Sequence, residues 1–172
     1  MAEALLRHRL ERRGVEAHVH SAGLRLTGEP ASANGVEVLA ERGLDLSGHR
    51  SRIVNAELLR DTDLVLAMAR EHLREAVLAL PDVWNRAFTL KELVRRGDAI
   101  GPRAPGESVD AWLARANGGR QRADLLGSSP DDDVPDPIGA GRSAYERTAD
   151  ELTGLVDRLV DLAWPAAAEE TA

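Results

Sequence analysis

Cysteine is absent from all 172 residues of the chain. That excludes disulfides, zinc–thiolate centres and any thiolate nucleophile within these residues. Long apolar runs are missing too. The longest, such as 64–69, fall well short of the roughly 20 residues a membrane-spanning helix needs. No charged-then-apolar segment opens the chain, so a cytoplasmic location is the expectation. There is no basic excess either: the net charge is −7, which opposes non-specific binding to nucleic acid. Neither nucleic acid nor a membrane is therefore an expected partner, and oligomeric state is left open. What is present is 43% hydrophobic and 30% charged residues, the balance of a globular domain with a real core.

The pattern along the chain alternates between strands and helices. Residues 1–13 read as a helix stopped by Gly14, with Ala2, Leu5, Leu6 and Leu10 on its apolar side. Nothing in the sequence caps its amino end. Val15 to Ser21 alternates as a half-covered strand does, and a loop follows to residue 31. Ser32 caps a helix through about Arg42, with Val36, Leu39 and Ala40 expected inward. A short helix is expected at 56–60. Asp63 to Met68 is the clearest strand, apolar without alternation, as a parallel strand covered on both faces should be. Helix 70–80 stops at Pro81, a short strand is expected at 86–89, and a helix at 90–96. Residues 97–130 are rich in Gly and Pro and read as a loop insertion holding one helix, 108–116. The last helix opens with a capping box at Ser143 and Glu146 and carries Tyr145, Ala149, Leu152, Val156 and Leu159 inward. The expectation is one α/β domain over 1–165, a doubly wound parallel sheet flanked by helices, with 166–172 as a frayed tail.

Few residues offer chemistry. Asp136 stands between Pro135 and Pro137, which stiffen its loop, and a carboxyl held there is a usable general acid. From spacing alone the run Asp131 to Asp136 reads more readily as a solvated acidic turn and, least readily, as a divalent-metal site. His49, Arg50 and Arg52 form a basic stretch that suits an anion or simply a wet loop. His18 and His20 share one strand face, and His72 stands apart, with no ligand spacing linking the three. Ser21 at a strand end has no partnered base.

Taken together, the segments MAEALLR, HSAGL, ERGLDLSGHRSR, DLVLAM with REH, VPDP and YERTADEL occur in an order that resembles the low-molecular-weight protein tyrosine phosphatases. Arsenate reductases of the same fold share much of the pattern. The resemblance runs from Met1 to about Leu162. It implies a phosphotyrosine protein phosphatase I-like fold and a metal-independent, cofactor-free hydrolase acting on a phosphorylated protein or small phosphate monoester. Family members open with a strand and a C-x5-R phosphate loop leading into a helix like residues 1–13. The loop's cysteine is the nucleophile, helped by amides at the helix N-terminus. Their general acid is an Asp before Pro, which matches Asp136 and Pro137.

Two departures follow. The nucleophile loop and the first, central strand are missing here, so the resemblance implies a truncated chain, inactive as given, with Asp136 as its catalytic residue. In addition, Ile138 and Gly139 follow the Asp-Pro where many relatives carry aromatics. Removing a central strand should leave a gap of about 10 Å, two strand spacings, between 17–21 and 63–68. A non-catalytic binding or regulatory protein is the alternative, and an arsenate reductase relative, which would need thiols, is a third.

Overall fold

The computed structural model describes residues 1–166. Its elements, in chain order, are α1 (Ala2–Arg12), α2 (Ala33–Ala40), α3 (Ala56–Arg60), β1 (Val65–Ala67) and α4 (Arg70–Ala79). A 3-10 turn at Pro81–Arg86 leads into β2 (Ala87–Thr89) and α5 (Leu90–Ile100). Then come α6 (Val109–Ala116), a second 3-10 turn at Arg122–Leu125, and the 22-residue α7 (Arg142–Ala163). The sheet is parallel and flanked by helices, with Val65, Leu66 and Ala67 of β1 set against Ala87, Phe88 and Thr89 of β2.

The main core forms on α7. Tyr145, Ala149, Leu152, Val156, Leu159 and Val160 are buried along one stripe. Leu5 and Leu10 of α1, Val38 and Leu39 of α2, and Leu93 of α5 share that core with it. Ser32 caps α2 through its hydroxyl, which accepts from the Gly35 amide. Thr89 does the same for α5 at Glu92. Gly14 turns the chain out of α1 at φ 72°, a left-handed conformation that glycine adopts without penalty.

The ends of the helices fix the direction of the strands. Arg13 donates to the Trp164 carbonyl at 2.9 Å, and the Arg103 amide donates to the Leu162 carbonyl at 2.7 Å. The carboxyl ends of α1, α5 and α7 therefore meet at one end of the molecule. Because α5 leads away from the carboxyl end of β2, both strands begin at that end. So does the segment 15–22 that follows α1. It runs parallel to β1.

Several expectations need correction. Residues 15–21 are extended but not a strand. Among the described residues, no backbone–backbone hydrogen bond reaches 16–22; the segment is held by Arg7 donating to the Val19 carbonyl at 3.0 Å, by Ser21 on Glu3, and beyond its end by the Gly23–Ile53 bridge. Alternation records which way side chains point. It does not supply a neighbour to pair with. On α2 the buried residues are Gly35, Val38 and Leu39, while Val36 is half-buried and Ala40 exposed. The last helix starts at Arg142, one residue before Ser143, so its cap is Gly141, which has no side chain to form a cap bond, and Glu146 accepts from Arg142 instead. The expected 166–172 tail lies outside the described residues except for Ala166.

α5 does not stop at Arg96. It continues to Ile100 through a buried Gly97. A β-carbon there would meet Trp112 and Leu162 at 2.9 Å, so the glycine permits α6 and α7 to close on α5. The stretch after α5 is also tied in: Trp112 and Leu113 belong to the core. The Arg120 guanidinium, almost wholly buried, pairs with Glu92 and lies 4.0 Å from the ring centroids of Trp84 and Phe88. Gly97→Ala should cost about 1–3 kcal/mol by overpacking, more than the roughly 1 kcal/mol that alanine gains in a helix. A thermal melt should show a lowered Tm, and an unchanged or raised Tm would contradict the close packing.

Candidate active site

The loop carrying Asp136 is held at the carboxyl end of β1. The Val134 amide donates to the Met68 carbonyl at 2.7 Å. Ala69, at the cap position of α4, supplies no side-chain acceptor, and Asp133 takes over that task by accepting from the Arg70 amide at 2.7 Å. Its second oxygen accepts from the Ser129 amide. An anionic acceptor at a helix amino end is stabilised by the dipole as well as by the bond.

Asp132 is the buried anchor. Its side chain is 8% exposed and accepts from Arg70 and Arg95 at 2.7 and 2.8 Å. Burial alone would raise its pKa, but the hydrogen bonds from Arg95 and Arg70 outweigh that and hold it below the ordinary carboxylate value. Lys91 donates to the carbonyls of Pro130 and Asp133, and Thr148 to that of Pro135. The acidic run is thus divided by role. Asp132 and Asp133 are consumed by structure, whereas Asp136 is exposed and makes no ion pair among the described residues. Its one hydrogen bond is accepted from the Ile138 amide at 3.0 Å. Pro137 is buried behind it.

At the same edge of the molecule, where β1 and the 15–22 segment end, lies the amino end of α1. Glu3 in its first turn accepts from Ser21 and from Arg7, and His49 Nδ1 stands 3.7 Å from the same carboxylate. Burial pushes the Glu3 pKa up, but those hydrogen bonds and the charges of Arg7 and His49 bring it below its ordinary value. His18 and His20 lie side by side with ring centroids 5.5 Å apart. Burial first, then Arg52 and His18, lower the His20 pKa. Arg50 spends its guanidinium on the carbonyls of Ser47 and His49. Among the described residues no group of three or more His, Cys, Asp or Glu is arranged to hold a metal ion.

Between the 15–22 segment and β1 opens a cavity of about 790 Å³, lined by residues of both and by Leu6, Leu90 and Trp164. This is the slot expected between 17–21 and 63–68. The edge of β1 facing it has no strand neighbour, since β1 pairs only with β2 among the described residues.

The model of the family described as low molecular weight phosphotyrosine protein phosphatase matches residues 1–100. The chain belongs to this family. It is similar to the low molecular weight protein-tyrosine-phosphatase Etp of Escherichia coli K12, 42% identical over 103 residues, 59% of this chain and 67% of that protein. It is also similar to a protein-arginine-phosphatase of Geobacillus stearothermophilus, 30% identical over 162 residues, 94% of this chain and 84% of the relative. Among solved structures, the low molecular weight protein tyrosine phosphatase from T. tengcongensis superposes with a TM-score of 0.68 at 33% identity, covering 93% of this chain and 87% of that one. The Asp136 loop lies at the carboxyl end of β1, the end at which sites in open parallel sheets gather.

Of the candidate residues, the structure brings Ser21 and His49 together on Glu3, which the sequence reading did not single out. It leaves Arg50 bracing its own loop. Arg70, Asp132 and Asp133 also escaped the sequence, although an acidic pair directly before Val-Pro-Asp-Pro was visible in it. Asp132→Asn should cost about 2–3 kcal/mol near neutral pH, since two bonds to charged donors weaken. The native pKa lies below the ordinary one, so Asp132 contributes fully above about pH 4, the region of its ordinary value of 3.8, and loses that contribution as pH falls through the native pKa. Urea titrations of both proteins should therefore diverge at pH 7 and converge toward pH 2. A constant difference at all pH values would contradict this account.

Proposed function

We propose that these residues form the acid–base half of a phosphate-ester hydrolase, with Asp136 as its general acid and then its general base. The observation that carries this reading is the division of labour in the loop: Asp132 is paired with Arg70 and Arg95, Asp133 accepts from two backbone amides, and Asp136 alone of the three faces solvent from between two prolines. The covalent route needs a thiolate, which none of these 172 residues supplies. In that route a thiolate from a C-x5-R loop attacks phosphorus and the ester P–O bond breaks. Asp136 gives its proton to the departing oxygen. As a carboxylate it then takes a proton from the water that attacks the phosphocysteine, releasing phosphate and the thiolate. No step uses a metal or organic cofactor.

The substrate class in this proposal is a phosphorylated protein or a small phosphate monoester, in the cytoplasm, and residues 1–165 act as one domain. Relatives are named for both phosphotyrosine and phosphoarginine. Exposed Ile138 next to the Asp-Pro offers an aliphatic rather than aromatic wall. The 172-residue chain alone should not hydrolyse p-nitrophenyl phosphate above an Asp136→Asn control, and activity that the substitution abolishes would overturn the need for a thiolate. With a C-x5-R segment fused ahead of Met1, Asp136→Asn should lower kcat about 10²–10⁴-fold at little change in KM. An unaltered kcat would remove Asp136 from the role.

A further inference from the structure

We propose that His18 and His20 chelate a divalent transition-metal ion, Zn²⁺ or a neighbour such as Ni²⁺ or Cu²⁺, at a site that takes no part in the reaction proposed for Asp136. The segment that carries them sets up the pair. Val15 and Val19 pack on the main core, and in extended backbone successive side chains point to opposite faces. His18 and His20 are therefore turned together to the other face. Their rings stand side by side, with centroids 5.5 Å apart and planes tilted by 38°.

That separation is what one ion between two imidazoles requires. A zinc–nitrogen bond of about 2.0–2.1 Å puts each ring centroid about 3.2 Å from the ion, and a tetrahedral angle then sets the centroids about 5.2 Å apart. The rings as they stand differ from this by a few tenths of an ångström, within reach of a small side-chain rotation. Among the described residues, the side-chain hydrogen bonds of this region join Arg7, Glu3, Ser21 and the Val19 carbonyl, and neither imidazole is spent on them.

The backbone beneath the pair is fixed from α1. Arg7 donates to the Val19 carbonyl, between the two histidines, at 3.0 Å, and Ser21, next to His20, donates to Glu3. A chelate whose second ligand is already in place gains affinity because that contact becomes intramolecular. Two imidazoles favour Zn²⁺, Ni²⁺ or Cu²⁺ over Mg²⁺ and Ca²⁺, which take oxygen ligands. Exposed Glu16, two residues earlier on the same face, adds negative charge, while Glu3 and Arg52 act on His20 with opposite sign. With two protein ligands the remaining positions fall to water, so the ion is held reversibly. Side chains stand roughly perpendicular to the plane of ladder bonds, so the pair is independent of what lies beside the backbone of 15–22.

The test is calorimetric titration of the whole 172-residue chain with zinc chloride at about pH 7.5, where an ordinary imidazole is neutral. The expected result is one ion per chain, with His18→Ala and His20→Ala each weakening binding at least about tenfold. His8→Ala and His72→Ala should leave it unchanged, and about 5 mM Mg²⁺ should not compete. No binding up to about 1 mM Zn²⁺, or unaltered binding in His18→Ala, overturns the proposal. The His18 side chain is exposed, so that variant should fold as the parent does, and a melt without metal checks this. Imidazole NMR spectra give a second reading, in which the His18 and His20 resonances should move as Zn²⁺ is added. Equal movement of all five histidines would show non-specific association and would likewise overturn the site.

Discussion

Burial of one face of α7 is the constraint on which the remainder of the structure rests. Its stripe from Tyr145 to Val160 takes up α1, α2 and α5 together. Parallel strands usually gain stability from a broad sheet covered on both sides. Among the described residues the sheet is two strands wide, and the helices are held mainly by one another. This explains how the 15–22 segment and β1 can stand apart. Each is tethered by its neighbouring helices, through Arg13 to Trp164 and Arg103 to Leu162 at one end and through Glu3 to Ser21 at the other.

The same arrangement sets the shape of the candidate site. The amino end of α1 and the Asp136 loop both lie where the parallel elements end, a consequence of strand direction rather than of any local motif. The loop is stiffened twice: by prolines on either side of Asp136, and by the charge network of Asp132, Arg70 and Arg95. That network links the loop to α4 and α5, so the carboxylate of Asp136 is carried on a frame set by two helices. The general acid proposed for this loop would need such support, since a group that transfers protons must be held to within a fraction of an ångström.

How much of this was legible in the sequence depended on the range of the interaction. The helix start capped by Ser32 could be read directly, because cap and bonded amide lie three residues apart; Thr89 and Ser108 cap in the same way, although the sequence pattern reads them as strand and helix residues. β1 was readable from its unbroken apolar run, and Asp136 from its two prolines and the family pattern. Gly97 was misread as a stop because glycine's local tendency is to end helices. Its real reason, contact with Trp112 and Leu162, comes from far along the chain. The 15–21 segment was misread for a related cause: alternation fits a strand, but strand formation needs a partner edge. Asp132 and Arg120 were invisible for the same reason, since their partners lie between 25 and 65 residues away.

The central claim is that the helical frame around α7 is complete while, among the described residues, the 16–22 segment and the β1 edge facing it have no backbone–backbone partner across the slot. Residue-resolved amide hydrogen exchange on the unliganded chain tests it most directly, because protection reports backbone pairing. The account predicts strong protection in α5, α7 and β2, with residues 16–22 exchanging at nearly the rate of an unstructured peptide. Protection of 16–22 comparable to that of β2 would show the segment already paired, and would contradict the account.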